Sequence, residues 1–228
     1  MLNTYVQQVQ RLLHNVTNTL YSPTDLAIYV NDARMQVAME GQCVRATSTR
    51  SISSGVNNFG FASLTFPSFP GIDTAINARS VLANGTWVQP RNWEWFTFYC
   101  STDSSTSALP FTWSQYGDGV DAQLFIWPTP SLNLTLVVDA ACFPVVLTTD
   151  ATVESIPFPF QRAIKYYAAY LAFLSVMRSA DADNMSKLFA QNMLNARAMT
   201  RATVLPGNAN SDWSLIDRAN AGGTSNGA

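Results

Sequence analysis

Few residues in this chain of 228 have the type and spacing that chemistry requires. His14 is the single histidine, so a histidine-rich metal site is excluded, and no serine or acid groups with it as a triad. Cys43, Cys100 and Cys142 are widely spaced and form no CxxC pair, which argues against zinc and thioredoxin chemistry and predicts three buried free thiols. Asp118 and Asp121 flank Gly119 in GDGVD, a fragment of a calcium loop without its later glutamate, and read as a turn. Asp181 and Asp183 read as helix-start residues. The glutamates, Glu40, Glu94 and Glu154, offer no converging pair for glycoside hydrolysis. No glycine loop suits a phosphate. The run Trp93–Tyr99 could stack sugars, but alternation along a strand also explains it, with Trp95, Phe98 and Tyr99 partly in a core. These residues predict no enzyme, no metal and no cofactor.

Charge points elsewhere. Charged residues make up 12% of the chain, about half of the ~25% usual for soluble domains. Net charge is −2, so no global basic field attracts nucleic acid. A surface so poor in charge is expected to meet other protein. Residues 101–160 contain no Lys or Arg but six acids: Asp103, Asp118, Asp121, Asp139, Asp150 and Glu154. Cations gather late, at Arg162, Lys165, Arg178, Lys187, Arg197 and Arg201, where they suit DNA phosphates, an acidic protein or simply water. The N-terminal residues lack the pattern of a signal peptide, and no apolar run reaches membrane-span length, so synthesis in a reducing cytoplasm and no membrane partner are expected.

The elements that must position these residues fall into three stretches. Apolar steps of three and four predict a helix over 2–16. Ser22-Pro23-Thr24-Asp25 caps and starts a second helix, 23–40, with Gly41 as a left-handed stop. Residues 42–156 change texture to short β runs between turn signals: 43–48, 59–64, 76–82, 86–88, 95–100, 111–116, 123–127, 132–139 and 145–147. Asn84-Gly85 marks a hairpin. Helices resume at about 159–179 and 182–202. The first is apolar almost all round from Tyr166 to Met177, so it must be covered on nearly every side.

The expected fold is α+β: an antiparallel four-helix bundle split by an inserted β sandwich or open barrel. Domain bounds are 1–41 and 157–205 for the bundle halves, 42–156 for the insertion and 206–228 for an extended C-terminal arm. Tyr29, Val37, Ile164, Tyr167, Leu171, Leu174 and Leu188 are the expected bundle core or interface. In the polar tail only Trp213, Leu215 and Ile216 form an apolar cluster, of the kind that anchors a flexible segment to a partner.

The runs YSPTDLAIYVNDARMQVAMEGQC, FIWPTPSLNLTLVVDA and IPFPFQRAIKYYAAYLAF resemble the head-to-tail adaptors of tailed phages, of the tail tubular protein A type. The resemblance covers most of residues 20–200. It implies a structural virion protein at the head-tail junction: a homo-oligomeric ring of twelve copies below the portal protein, receiving the tail nozzle or tail tube and passing DNA through a central channel. It also implies a C-terminal segment that grips the portal. On that reading Trp213, Leu215 and Ile216 are portal-binding, and Asp103, Asp118 and Asp121 face the channel or the tail. The alternatives are another neck, head-closure or decoration protein of the virion, or a carbohydrate-binding module or enzyme on the β region.

Overall fold

The computed structural model describes residues 1–14, 20–100 and 103–203, with side chains to residue 200. Five α-helices occur among them: α1 (Leu2–Leu12), α2 (Pro23–Gly41), α3 (Trp93–Cys100), α4 (Phe158–Ser175) and α5 (Ser179–Thr203). Nine strands lie between α2 and α4: β1 (Arg45–Ile52), β2 (Asn58–Gly60), β3 (Ile72–Ala83), β4 (Thr86–Pro90), β5 (Thr106–Ser107), β6 (Thr112–Tyr116), β7 (Gln123–Trp127), β8 (Thr129–Pro130) and β9 (Leu134–Pro144).

Seven strands make one sheet in the order β1-β9-β3-β4-β6-β7-β2. It is mixed, with β4 and β6 parallel and every other neighbouring pair antiparallel. The sheet is built on β9, where Leu134, Leu136, Val138 and Ala140 alternate into the core. β3 meets β9 with three register shifts, and bulges of this kind bend a strand and increase its twist. The sheet therefore curls into a half-barrel. Its two edge strands, β1 and β2, are successive in the chain. The segment after β2 leans back on β1: the Thr65 amide donates to Ser48 Oγ and Arg50 Nη1 to the Ser63 carbonyl. Asn84 and Gly85 both take positive φ in the β3–β4 turn, as the hairpin signal required. β5 and β8 form a separate two-stranded parallel pair.

The helices do not form the expected antiparallel four-helix bundle. α1 packs on α2 and α4, α4 packs on α2 and α5, and α5 scarcely reaches α2. α2 rests instead on β9, so the sheet occupies a side that a bundle would give to a helix. One apolar core runs from Tyr5 through the sheet to Ala196. The near-apolar α4 finds its cover there, with Phe160, Ala163, Ile164, Ala168, Ala169, Ala172 and Phe173 buried.

Three further expectations change. Residues 95–100 are not a strand but most of α3, because Asn92 Oδ1 accepts from the Trp95 amide and Glu94 places charge in the first turn. Gly41 is not the left-handed stop; Gln42 takes that conformation, at φ 44°. Gly41 serves close approach instead, since a Cβ there would meet the Phe160 ring at 3.0 Å. Residues 145–147 are irregular rather than a strand.

Candidate assembly surface

The segment joining β9 to α4 is fastened to α2 by a buried polar network. Arg34 and Glu154 pair at 2.9 Å with side chains only 1% and 2% exposed. Arg34 Nη1 also donates to the Val145 carbonyl and to Asn31 Oδ1. The Asn31 amide pairs with the Leu147 backbone in both directions, and Glu154 Oε1 accepts from the Ile156 amide. Each charge is thus matched by a charge and by hydrogen bonds, which is what burial of an ion pair requires. Arg34 did not stand out in the sequence and Glu154 did so only as one of six acids, and the Arg–Glu separation of 120 residues hides the pairing.

The expected core or interface residues divide. Val37 and Ile164 are fully buried. Tyr29, Tyr167 and Leu171 are half-buried; the Tyr167 ring lies against Tyr170 and Phe189. Leu174 and Leu188 are exposed, on outer faces of α4 and α5. Trp213, Leu215 and Ile216 lie outside the described residues.

The acids of 101–160 divide as well. Glu154 is buried on Arg34, Asp139 pairs with Arg45, and Asp150 accepts from the Met1 amine and from Asn3. Asp103, Asp118 and Asp121 are exposed and form no ion pair among the described residues. The cations are partly engaged: Arg178 pairs with Asp181, Arg197 donates to the Glu40 carbonyl at the α2 C-terminus, and Arg162 lies over the Phe158 ring. Lys187 is exposed.

α3 is the feature the sequence reading missed; the Asn92 cap and Glu94 were the available signal. Only one side of it is covered. Trp93 packs on Tyr116 and Phe125, and Phe96 and Cys100 are buried. The other side shows Phe98 at 76% exposure and Tyr99 at 58%. Trp87, Phe111 and Tyr116 are further exposed aromatics on β4 and around β6. Contiguous exposed apolar patches commonly mark sites of protein contact.

An open recess of about 570 Å³ is lined by Gln42, Asn77, Ala78, Arg79, Gln115, Gly117 and Asp118. Its charged groups are turned to neighbours, Arg79 to Gln42 and Asp118 to Gln115. Among the described residues no cluster of His, Cys, Asp and Glu could hold a metal, and no helix is long and apolar enough to cross a membrane.

The half-bare aromatic helix sits on a chain in which only 12% of residues are charged. Residues 3–218 match the family model described as SU10 adaptor protein. The chain belongs to that family and is a phage structural adaptor, a component of the virion. The narrower likeness to the tail tubular protein A type is not what this match establishes. No curated protein matches the chain.

Proposed function

We propose that this adaptor forms a homo-oligomeric ring at the head-tail junction, between the portal protein and the tail, with a central channel that passes DNA. The observation that carries the reading is the exposed aromatic side of α3 on a virion adaptor whose surface is otherwise poor in charge. Twelve copies is the stoichiometry carried over from the head-to-tail adaptors that the sequence resembles. The roles follow the chain. Segments 1–41 and 157–205 supply the helical layer, 42–156 the curled sheet, and 206–228 an arm whose Trp213, Leu215 and Ile216 grip the portal. The half-buried Tyr167 and Leu171 and the exposed Leu174 and Leu188 are placed to meet neighbouring protein, whereas Val37 and Ile164 serve the core.

The test is electron microscopy of the full chain mixed with its portal. Rings coaxial with the portal are expected. Single chains that bind neither one another nor the portal would defeat the proposal.

A further inference from the structure

We infer that residues 204–212, leaving the end of α5, run as an extended segment along the open edge of β3 in the same chain and so fix the root of the C-terminal arm. The inference rests on the arm reading of 206–228 and gives the first residues of that arm a docking groove.

The groove consists of two adjoining recesses. The first, of about 320 Å³, lies where α5 passes the end of α2, with Glu40, Gln42, Arg79, Arg197 and Thr200 among its walls. Arg197, which donates to the Glu40 carbonyl, and Thr200 stand about one turn apart on α5. The second is the 570 Å³ recess, and it shares Gln42 and Arg79 with the first. Those two side chains meet at 3.0 Å where the recesses join.

The second recess sits at a gap in the sheet. β9 pairs with β3 along one edge, but β4 covers the other edge only at Val81–Ala83 before it turns to β6. Among the described residues no strand pairs with the rest of that edge, and at Asn77, Ala78 and Arg79 it borders the recess. Two details show what this edge lacks. The Ala78 amide donates to Gln115 Oε1 at 2.8 Å, so a side-chain amide stands where a neighbouring strand would place a backbone carbonyl. Asn77 Oδ1 is buried and accepts from no donor. An open sheet edge takes up an extended chain, whose N–H and C=O groups supply such partners.

The occupant is the chain's own continuation. The described residues end at Thr203, about one turn past Thr200, which lines the first recess. Residues 204–212 read VLPGNANSD. After Pro206 each is small or carries an amide, hydroxyl or carboxylate, the groups that suit a wall of Gln42, Asn77 and Gln115. At ~3.3 Å per extended residue they reach about 30 Å, and the groove begins beside the helix they leave. A tether this short gives a local concentration on the order of millimolar, which a second copy's tail or another extended partner does not match. With 204–212 seated, Trp213, Leu215 and Ile216 follow directly and stay available to the portal.

Photo-cross-linking and hydrogen exchange of the full chain test the docking. A benzophenone side chain at position 208 or 210, in equal mixtures of ¹⁴N- and ¹⁵N-labelled protein, should link to residues 77–79 or to Gln115 within one copy. Backbone amides of 207–212 should exchange at least about tenfold more slowly than those of 219–228. A chain ended after Asp212 should keep the exchange of residues 77–79 slow, and one ended after Leu205 should speed it about tenfold. Exchange is the readout rather than melting, because hydrogen bonds at an open groove are traded against those to water. Links that fall elsewhere or only between copies, or equally fast exchange from 204 to 228, would overturn the docking. Portal capture by the same two shortened chains separates this from the arm reading. Both should lose it; capture retained by both would overturn the arm reading, while the exchange and the links still decide where 204–212 lie.

Discussion

At the scale of single residues the Arg34–Glu154 pair sets the largest stake. Both side chains are within 2% of full burial, so removing one partner strands the other as an unpaired charge. Arg34→Met or Glu154→Leu alone should cost about 3–5 kcal/mol in urea unfolding, and the double variant should recover much of that loss. The thiols make a second prediction. Burial pushes Cys43 and Cys142 up to about 12 and raises Cys100 as well. At pH 8 about one in ten thousand of a group with pKa about 12 is thiolate, so a disulfide reagent should label Cys142 only at the rate of unfolding. The native state then holds more protons than the unfolded state once pH passes the unfolded thiol pKa, about 8.5. Stability should be fully present below that pH and decline as pH rises toward 12; a flat profile from pH 8 to 10.5, after correction for tyrosine, would contradict the burial of these sulfurs.

The helix ends and the buried helix faces carry the next predictions. Ser22 Oγ accepts from the Asp25 amide at the start of α2, and Asn92 Oδ1 does the same for Trp95 in α3. Ser22→Ala and Asn92→Ala should each cost about 1 kcal/mol in thermal unfolding. Their consequences should differ beyond that number. α2 is part of the core, so Ser22→Ala should lower the melting temperature without touching assembly. α3 presents the exposed aromatics on which the proposed ring rests, so Asn92→Ala should also weaken self-association. Position on α4 gives a sharper contrast. Ile164 is fully buried, and Ile164→Asp should leave little folded protein, since a carboxylate there finds no partner. Leu174→Asp, on the exposed side of the same helix, should fold with nearly parental stability. Circular dichroism of the two variants side by side decides it.

For the whole molecule, the prediction concerns the tail. Residues from Pro206 onward are mostly small and polar, too poor in apolar side chains to build a core of their own. Truncation after Leu205 should leave the melting temperature nearly unchanged while abolishing capture by the portal. Trp213→Ala alone should lose about 2 kcal/mol of that capture, measurable by calorimetry. A truncated chain that melts far below the intact one, or that still binds the portal normally, would show that the tail is no arm.

The sequence by itself determined what depends on local period and local chemistry. The three- and four-residue apolar steps located α1, α2, α4 and α5, Ser22 and Pro23 marked the start of α2, and Asn84-Gly85 placed the β3–β4 turn. It was also enough for the family, because the matched residues, 3–218, span nearly the whole chain. Only the tertiary structure decided the rest. Aromatics in WEWFTFYC suit a strand by propensity, and the cap from Asn92 together with packing of Trp93 on Tyr116 and Phe125 turned them into a helix. An apolar stripe states that a face is buried but not against what. The stripes of α2 and α4 fit a four-helix bundle equally well until β9, curling beneath α2, took one of those sides. The six acids looked alike in sequence. Pairing across 94 and 120 residues withdrew Asp139 and Glu154, Met1 and Asn3 took Asp150, and Asp103, Asp118 and Asp121 pair with no cation among the described residues. Long-range pairing is set by where the chain returns in space, and no local pattern records it.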